Sequence, residues 1–438
     1  MNICRSTLKN LSLNFLSARF FSVLGISAAA LTPFSALGKK EDSPQEKTAP
    51  SKFVESPALA KGQLIFDRKM SPYMGANDFI TAFRGLEYFE DHAIRNGKYP
   101  RGFGAGCVRF LELSLIYNPL AAWSSVAQHE IFGHGYRIRD LGKNVAQVHS
   151  YHVEAPFPFS NKPAQGATYF SFSPDITLSQ IMAIDIAGIE ANYVFSRVIK
   201  KQWIQAGSIS GRETALYDQN ALMGTLYALS LQENNAASHD IAAYLDDLNA
   251  AYPNAHLSKV HLNRQMLWNL VDPMLYYNMW ASWSYILYGK SVPIPMFRIK
   301  SVRFLPNLRT ELTPFGIENY FESYFMYNDK LTYFYARQGK HAGQTYWGVG
   351  IDKKGIFTRK KTSFDVKLEF WKQPKMALKL GESLPTSSLI GALITVSLNV
   401  KFKKFSWFEE FGGKTEGFVP GQSLKKALIG RFGLAFDF

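Results

Sequence analysis

The chain has 438 residues, 47% of them hydrophobic, which is enough for two or three domains and too apolar for wholesale disorder. A formal net charge of +14 suits anionic lipid headgroups better than nucleic acid, because no compact basic cluster has nucleic-acid-motif spacing, and no nucleic-acid partner is expected. The aromatic share, 15% with 34 Phe and 22 Tyr, is the excess found where side chains face lipid.

Residues 1–38 carry Arg5, Lys9 and Arg19 and no acid, then the apolar run from Phe20 to Leu31 and the small residues Ser35, Ala36 and Gly38. The run is shorter than the ~20 residues of a membrane span, so the segment reads as an export signal peptide, with a permanent membrane anchor as the alternative. Its removal takes Cys4 with it and leaves Cys107 alone, so no intramolecular disulfide is expected. Residues 39–62 mix Lys, Glu, Ser and Pro and read as a flexible linker.

Residues 63–295 read as a mainly helical domain, with long segments near 107–133, 178–204, 213–232, 238–250 and 263–288 rich in Ala, Leu, Ile and Met. None is a clean transmembrane span, since each carries internal charge such as Arg109, Glu112, Asp185, Glu190 or Asp272.

The chemistry candidate is Gln128-His129-Glu130-Ile131-Phe132-Gly133-His134-Gly135. Two histidines four apart on a helix, with a glutamate after the first, hold zinc and a water-polarising base. Here the histidines are five apart, and five steps of about 100° splay them by roughly 140°. A π-type bulge would bring them back into line, and Gly133 is the residue most easily bent into one. The alternative is a helix end marked by Gly133 and Gly135, with His134 near the C-terminal dipole.

The hexapeptide HEIFGH resembles HEXXGH, the zinc motif of the dipeptidyl-peptidase III family. That resemblance implies Zn2+ held by His129 and His134, Glu130 as general base, and a third ligand from a glutamate on a later helix. Glu190, in the apolar stretch around Ile186 and Ala191, fits that place. The family's second motif is only partly matched, by Glu190-Ala191, and its members are large soluble two-lobed enzymes. The resemblance therefore bears on zinc chemistry more than on peptide-length specificity.

Further polar residues are weaker candidates. His149, His152 and Glu154 could face one way and contact substrate or support the site, though histidines in such a loop are more often simply solvated. Asp185 is seven residues before Asn192, on the same helical face, and could orient a ligand histidine or equally serve as a helix cap or a polar core group. Tyr136 follows the motif closely and could polarise a carbonyl.

After about residue 300 the period changes to two. In Phe364-Asp365-Val366-Lys367-Leu368-Glu369-Phe370 apolar and charged residues alternate, and the pattern recurs around Ile394–Phe402, Leu331–Tyr335 and Thr345–Ile351. Strands are expected near 300–312, 317–327, 331–338, 344–352, 358–371, 389–403 and 428–438, with an eighth unrecognised or supplied upstream. Leu428, Gly430, Phe432, Leu434, Phe436 and Phe438 share one face, which resembles the C-terminal strand of bacterial outer-membrane β-barrels. A soluble β-sandwich would give the same alternation.

The expectation is an α+β chain, a mainly helical zincin-like domain followed at 296–438 by an antiparallel β-barrel of about eight strands. Its expected function is that of a zinc metallohydrolase anchored in outer-membrane lipid, acting on peptide or protein through zinc-activated water. A non-enzymatic outer-membrane protein with a helical plug or cap, and a zinc-dependent lipid-acting hydrolase, are the alternatives.

Overall fold

The computed structural model describes residues 4–7, 61–94, 102–231 and 239–438. The expected export segment therefore lies outside the described residues except for β1 (Cys4–Thr7). The expected linker lies outside them except for Lys61 and Gly62, which are not linker but the start of a strand, β2 (Lys61–Phe66).

α1 (Pro72–Phe89) begins with a proline in its first turn, where a missing N–H costs nothing. α2 (Phe103–Glu112), α3 (Asn118–His129) and α4 (Gly135–Leu141) follow one another through the π-helical turns Leu113–Tyr117 and Glu130–His134. A hairpin comes next, β3 (Ala146–Glu154) and β4 (Gln165–Phe172), and β1 pairs with the far edge of β4. α5 (Leu178–Asp185) opens on a capping box between Thr177 and Gln180. α6 (Ala187–Ala206) ends at Gly207, whose φ of 77° favours a residue without Cβ.

β5 (Ser208–Ile209) leads into α7 (Thr214–Leu229), α8 (Asp240–Ala251) and α9 (Lys259–Met266). A 3-10 turn (Leu267–Val271) and α10 (Pro273–Tyr288) complete the helices, and β6 (Val292–Pro293) pairs with β5.

The period-two region forms an antiparallel meander. It runs through β7 (Phe297–Ile299), β8 (Val302–Thr313), β9 (Gly316–Tyr327), β10 (Lys330–His341), β11 (Gln344–Arg359) and β12 (Thr362–Pro374) to β13 (Ser388–Lys401), β14 (Phe405–Lys414) and β15 (Ala427–Asp437). β15 then pairs with β2, which makes ten strands. β9 and β10 are joined by Asn328 and Asp329 with φ of 48° and 56°, a tight turn for which Asn and Asp are suited. The count is ten where about eight were expected: the upstream β2, the unrecognised β14 and the short β7 join the seven strands that the alternation marked.

Side-chain polarity on this sheet is the reverse of a soluble sandwich. The inner face carries buried charges in pairs, with Arg309 3.0 Å from Glu322, and Arg337 2.7 Å from Glu318 and 3.1 Å from Glu369. The outer face exposes Phe321, Trp347, Ile351, Phe370, Ile394, Phe411, Leu428 and Phe432. α6 lies against the inner face, where Arg197 meets Glu311 at 3.2 Å and Lys201 meets Asp352 at 2.8 Å. Phe195, Ile199 and Trp203 share a core with Tyr320, Tyr324, Tyr333 and Tyr335. Helices and strands are therefore one packed body, in place of the two successive domains expected from the change of period.

The architecture is α+β, and the ten-stranded sheet is not closed into a barrel: among the described residues β2 does not pair with β7 or β8. Helical side chains take up its edges instead. On β2, Gln63 N–H donates to Thr81 Oγ1 at 2.6 Å, Ile65 N–H donates to Asp78 Oδ1 at 2.8 Å, and Lys61 O accepts from Arg84 Nη1 at 2.8 Å. On β8, Asn269 accepts from Thr310 N–H at 2.7 Å and donates to Thr310 O at 3.1 Å, while Tyr244 Oη donates to Thr313 O at 2.8 Å. An edge whose polar groups are satisfied this way has little reason to recruit another strand.

Candidate metal centre

The histidines five apart converge because the helix takes up one extra residue. Glu130–His134 is a π-helical turn, the register change that the spacing called for. It puts His129 Nε2 and His134 Nε2 3.2 Å apart. Gly133 matters for a different reason from the one expected. A Cβ there would lie 2.6 Å from Ala187 O and 2.7 Å from Gly188 Cα, so the glycine lets α6 approach the turn. Gly188 in turn sits directly under the His129 ring.

The third member is Asp240, the first residue of α8. Its Oδ2 lies 2.9 Å from His129 Nε2 and 3.1 Å from His134 Nε2. His129, His134 and Asp240 form a group able to hold a metal ion, with one donor atom from each within 4.8 Å of the others. A tetrahedral ion with ligands at about 2.0–2.1 Å needs its donors roughly 3.3 Å apart, close to the observed separations.

Glu190, expected to be the third ligand, is engaged elsewhere. Arg137 Nη2 contacts both of its carboxylate oxygens at 2.7 Å, and Gly421 N–H donates to Oε1 at 2.6 Å. The solitary acid in an apolar helix did need a partner, and that partner is an arginine on α4.

Both imidazoles are oriented from behind. Ile184 O can only accept, so His134 Nδ1 carries a hydrogen and donates to it at 2.7 Å. Asn192 Nδ2 donates to Ser125 O at 3.0 Å, which leaves Asn192 Oδ1 to accept from His129 Nδ1 at 2.9 Å. Each ring therefore turns Nε2, the nitrogen available as a ligand, toward the common point. Asp185, expected to do this work, faces Asp247 instead, while the carbonyl of its neighbour Ile184 takes the role. Burial and the Asp247 carboxyl hold the Asp185 carboxyl well above the usual carboxylate range.

The charges are mutually tuned. Burial alone would lower the His134 imidazolium, but Asp240 beside it, with Glu130 and the Ile184 carbonyl, pushes it up to about 9. Burial would raise Asp240, yet His134 and His129 hold its carboxyl far below the ordinary range. Glu130 is raised by burial against the pull of His134 and His129. Thr168 Oγ1 donates to Glu130 Oε2 at 2.7 Å and also approaches Glu130 O at 3.1 Å. Gly166, whose Cβ would strike Glu130 Cγ at 2.6 Å, leaves room for that carboxylate.

The centre is enclosed: His129, Glu130 and His134 are each 1% exposed and Asp240 is 6% exposed. The other expected contacts lie elsewhere. His149 bonds Ser171 Oγ at 2.9 Å on the exposed side of the hairpin. His152 lies 3.2 Å from Glu154, which also binds Lys162. Tyr136 is buried beside the Arg137 guanidinium, 5.6 Å from its ring. Asp240 itself went unrecognised because it stands 106 residues after His134, at a helix start where an aspartate normally signals only a favourable first turn.

A scan against protein-family models and searches of curated proteins and of solved structures give no match.

Proposed function

We propose that the protein is a membrane-embedded, metal-dependent hydrolase whose ion is held by His129, His134 and Asp240. The carrying observation is the π-helical turn that aligns two Nε2 atoms and an aspartate oxygen while keeping Glu130 in the same turn. Two neutral imidazoles and one carboxylate suit zinc, and leave a fourth position for water. The HEIFGH resemblance to the dipeptidyl-peptidase III motif supports the same ion, with Asp240 replacing the glutamate of that family's ligand set.

When bound, zinc supplies Lewis acidity that brings the pKa of water toward neutrality. The chain does the rest. Ile184 O and Asn192 hold the rings, and Asp240 compensates charge. Glu130, oriented by Thr168, would take the proton of the attacking water and return it to the leaving group. A peptide amide is the substrate class this arrangement serves most directly. The reversed polarity of the sheet, with charge paired inside and aromatic and aliphatic side chains outside, supports a place in an outer membrane, where strands present an apolar band to lipid.

The test is metal content of protein folded in detergent, together with cleavage of a mixed peptide library. Zinc at one per chain, retained in Glu130→Gln while cleavage is lost, is the expected result. No metal in the native chain would end the reading. The 1–6% exposure of the centre favours one second reading, a structural ion that fastens α8 to α3 and α4, in which case Glu130→Gln changes nothing.

A further inference from the structure

Across the gap between β2 and β8 the outward surface is helical. α10 spans 16 residues without Asp, Glu, Lys or Arg, and Tyr276, Trp280, Trp283, Leu287 and Tyr288 on it are 46–58% exposed. The turn before it exposes Leu267, Trp268, Leu270 and Val271. α2 and its π turn, which touch α10, expose Phe103, Val108, Phe110, Leu111, Leu115 and Ile116.

The charges of α2 are turned the other way. Arg109 is 2% exposed and donates from Nε to Ile286 O at 2.9 Å and from Nη2 to Leu287 O at 3.1 Å. Glu112 is buried and accepts from Tyr285 Oη at 2.6 Å. A water-facing amphipathic helix has the opposite arrangement. The ends of α10 are also satisfied from within: Arg109 covers its last carbonyls and Asp272 accepts from Met274 N–H at 3.0 Å. Hydrocarbon imposes that requirement, whereas water would meet it for free.

We propose that α2, its π turn and α10 form a helical panel that faces lipid acyl chains and bridges the two sheet edges where a barrel would place strands. The proposal rests on the membrane reading above and adds which surface closes the wall. The turn before α10 ties the panel to one sheet edge, where Asn269 bonds Thr310 of β8, and Tyr117 Oη at the end of the π turn donates to Glu90 at 2.7 Å, at the end of α1, the helix that covers β2. No helix among the described residues is long and apolar enough to cross a membrane by itself, and as part of a wall none needs to be. A groove of about 800 Å³ between Phe103, Cys107, Phe110, Ile286 and Tyr288 has the lining an acyl chain takes. None of the exposed side chains of α10 is charged, and its Tyr and Trp residues suit the boundary between acyl chains and headgroups.

The test uses the full chain in a Cys4→Ser background, folded into phosphatidylcholine vesicles and carrying one nitroxide. The label sits on Cys107, on Trp283→Cys, or on Ile351→Cys of the sheet's outer face, the last two with Cys107→Ser. Trp280→Cys replaces Trp283→Cys if the latter does not fold. Collisions with oxygen are expected to outweigh those with a water-soluble nickel chelate at all three sites. If Ile351→Cys behaves so while Cys107 and Trp283→Cys favour nickel, the panel faces water and the proposal falls while the membrane reading stands. Spin–spin broadening at the panel sites that vanishes on dilution with unlabelled protein would assign the surface to a second copy and also overturn it. Nickel access at Ile351→Cys would remove the membrane reading and the panel together.

Discussion

Asn192 Oδ1 accepts a hydrogen bond from His129 Nδ1 at 2.9 Å while Asn192 Nδ2 donates to Ser125 O at 3.0 Å, so the amide cannot turn over without losing both. Asn192→Ala is therefore expected to weaken metal binding about 10–100-fold, the usual effect of removing a support behind a ligand histidine. Asn192→Asp keeps the acceptor and should bind more nearly as the native chain does. Competition with a chromophoric chelator measures both, and unchanged affinity in the alanine variant would show that packing alone holds the ring.

Asp240 and Glu190 are expected to separate metal binding from stability. Asp240→Asn should abolish stoichiometric metal in folded protein, because it removes the anionic ligand. Glu190→Gln should leave metal content at one per chain and cost up to about 3 kcal/mol, since it removes the closer of the two carboxylates that pair the buried Arg137 and leaves Asp140 at 3.7 Å. Elemental analysis and denaturant melts of the two variants give the answer, and a reversed pattern would return Glu190 to the ligand set.

Gly133 is hemmed in by backbone, which cannot yield as a side chain can. Gly133→Ala should destabilise the protein by about 1–3 kcal/mol and loosen α6 from the turn. Gly104, in α2, has nothing within 4 Å of a Cβ, so Gly104→Ala should be neutral or stabilise by up to about 1 kcal/mol. Equal stability of the two variants in a melt would show that the close approach at Gly133 is not maintained.

The metal-free protein should lose stability as pH rises. His134 is pushed up from 6.5 to about 9 in the folded chain, so its contribution is complete below pH 6.5 and disappears through about pH 9. The difference corresponds to about 3 kcal/mol. Melting followed with a chelator present should show this decline, and the metal-loaded protein should not, because its imidazole carries no proton at Nε2. A flat metal-free profile across that window would contradict the Asp240–His134 contact.

The sequence made some features legible and hid others for identifiable reasons. Histidines five apart imposed a register change, because only one extra residue in the turn aligns them, and the helix has it. Alternation marked β8 to β13 and β15 because an oily outside and a polar inside leave a period of two. β14 escaped notice because adjacent Trp407-Phe408 and Glu409-Glu410 blur that period, although Trp407 is exposed and Phe408 buried as alternate faces require. β2 is too short to show any period. For Glu190, an apolar setting revealed that a partner existed but not whether it was an ion or Arg137, and for Asp240 chain distance concealed everything.

β2 and β15 pair from Lys61–Asp437 to Phe66–Phe432, although almost the whole described chain lies between them. That ladder cannot begin until translation has passed the second strand. Everything from α1 to β14 must meanwhile be gathered in an unfinished state, with oily surfaces already made. Such high contact order makes folding slow and exposes the nascent chain to aggregation, so holdase chaperones should matter more to its yield than to that of a protein with local pairings.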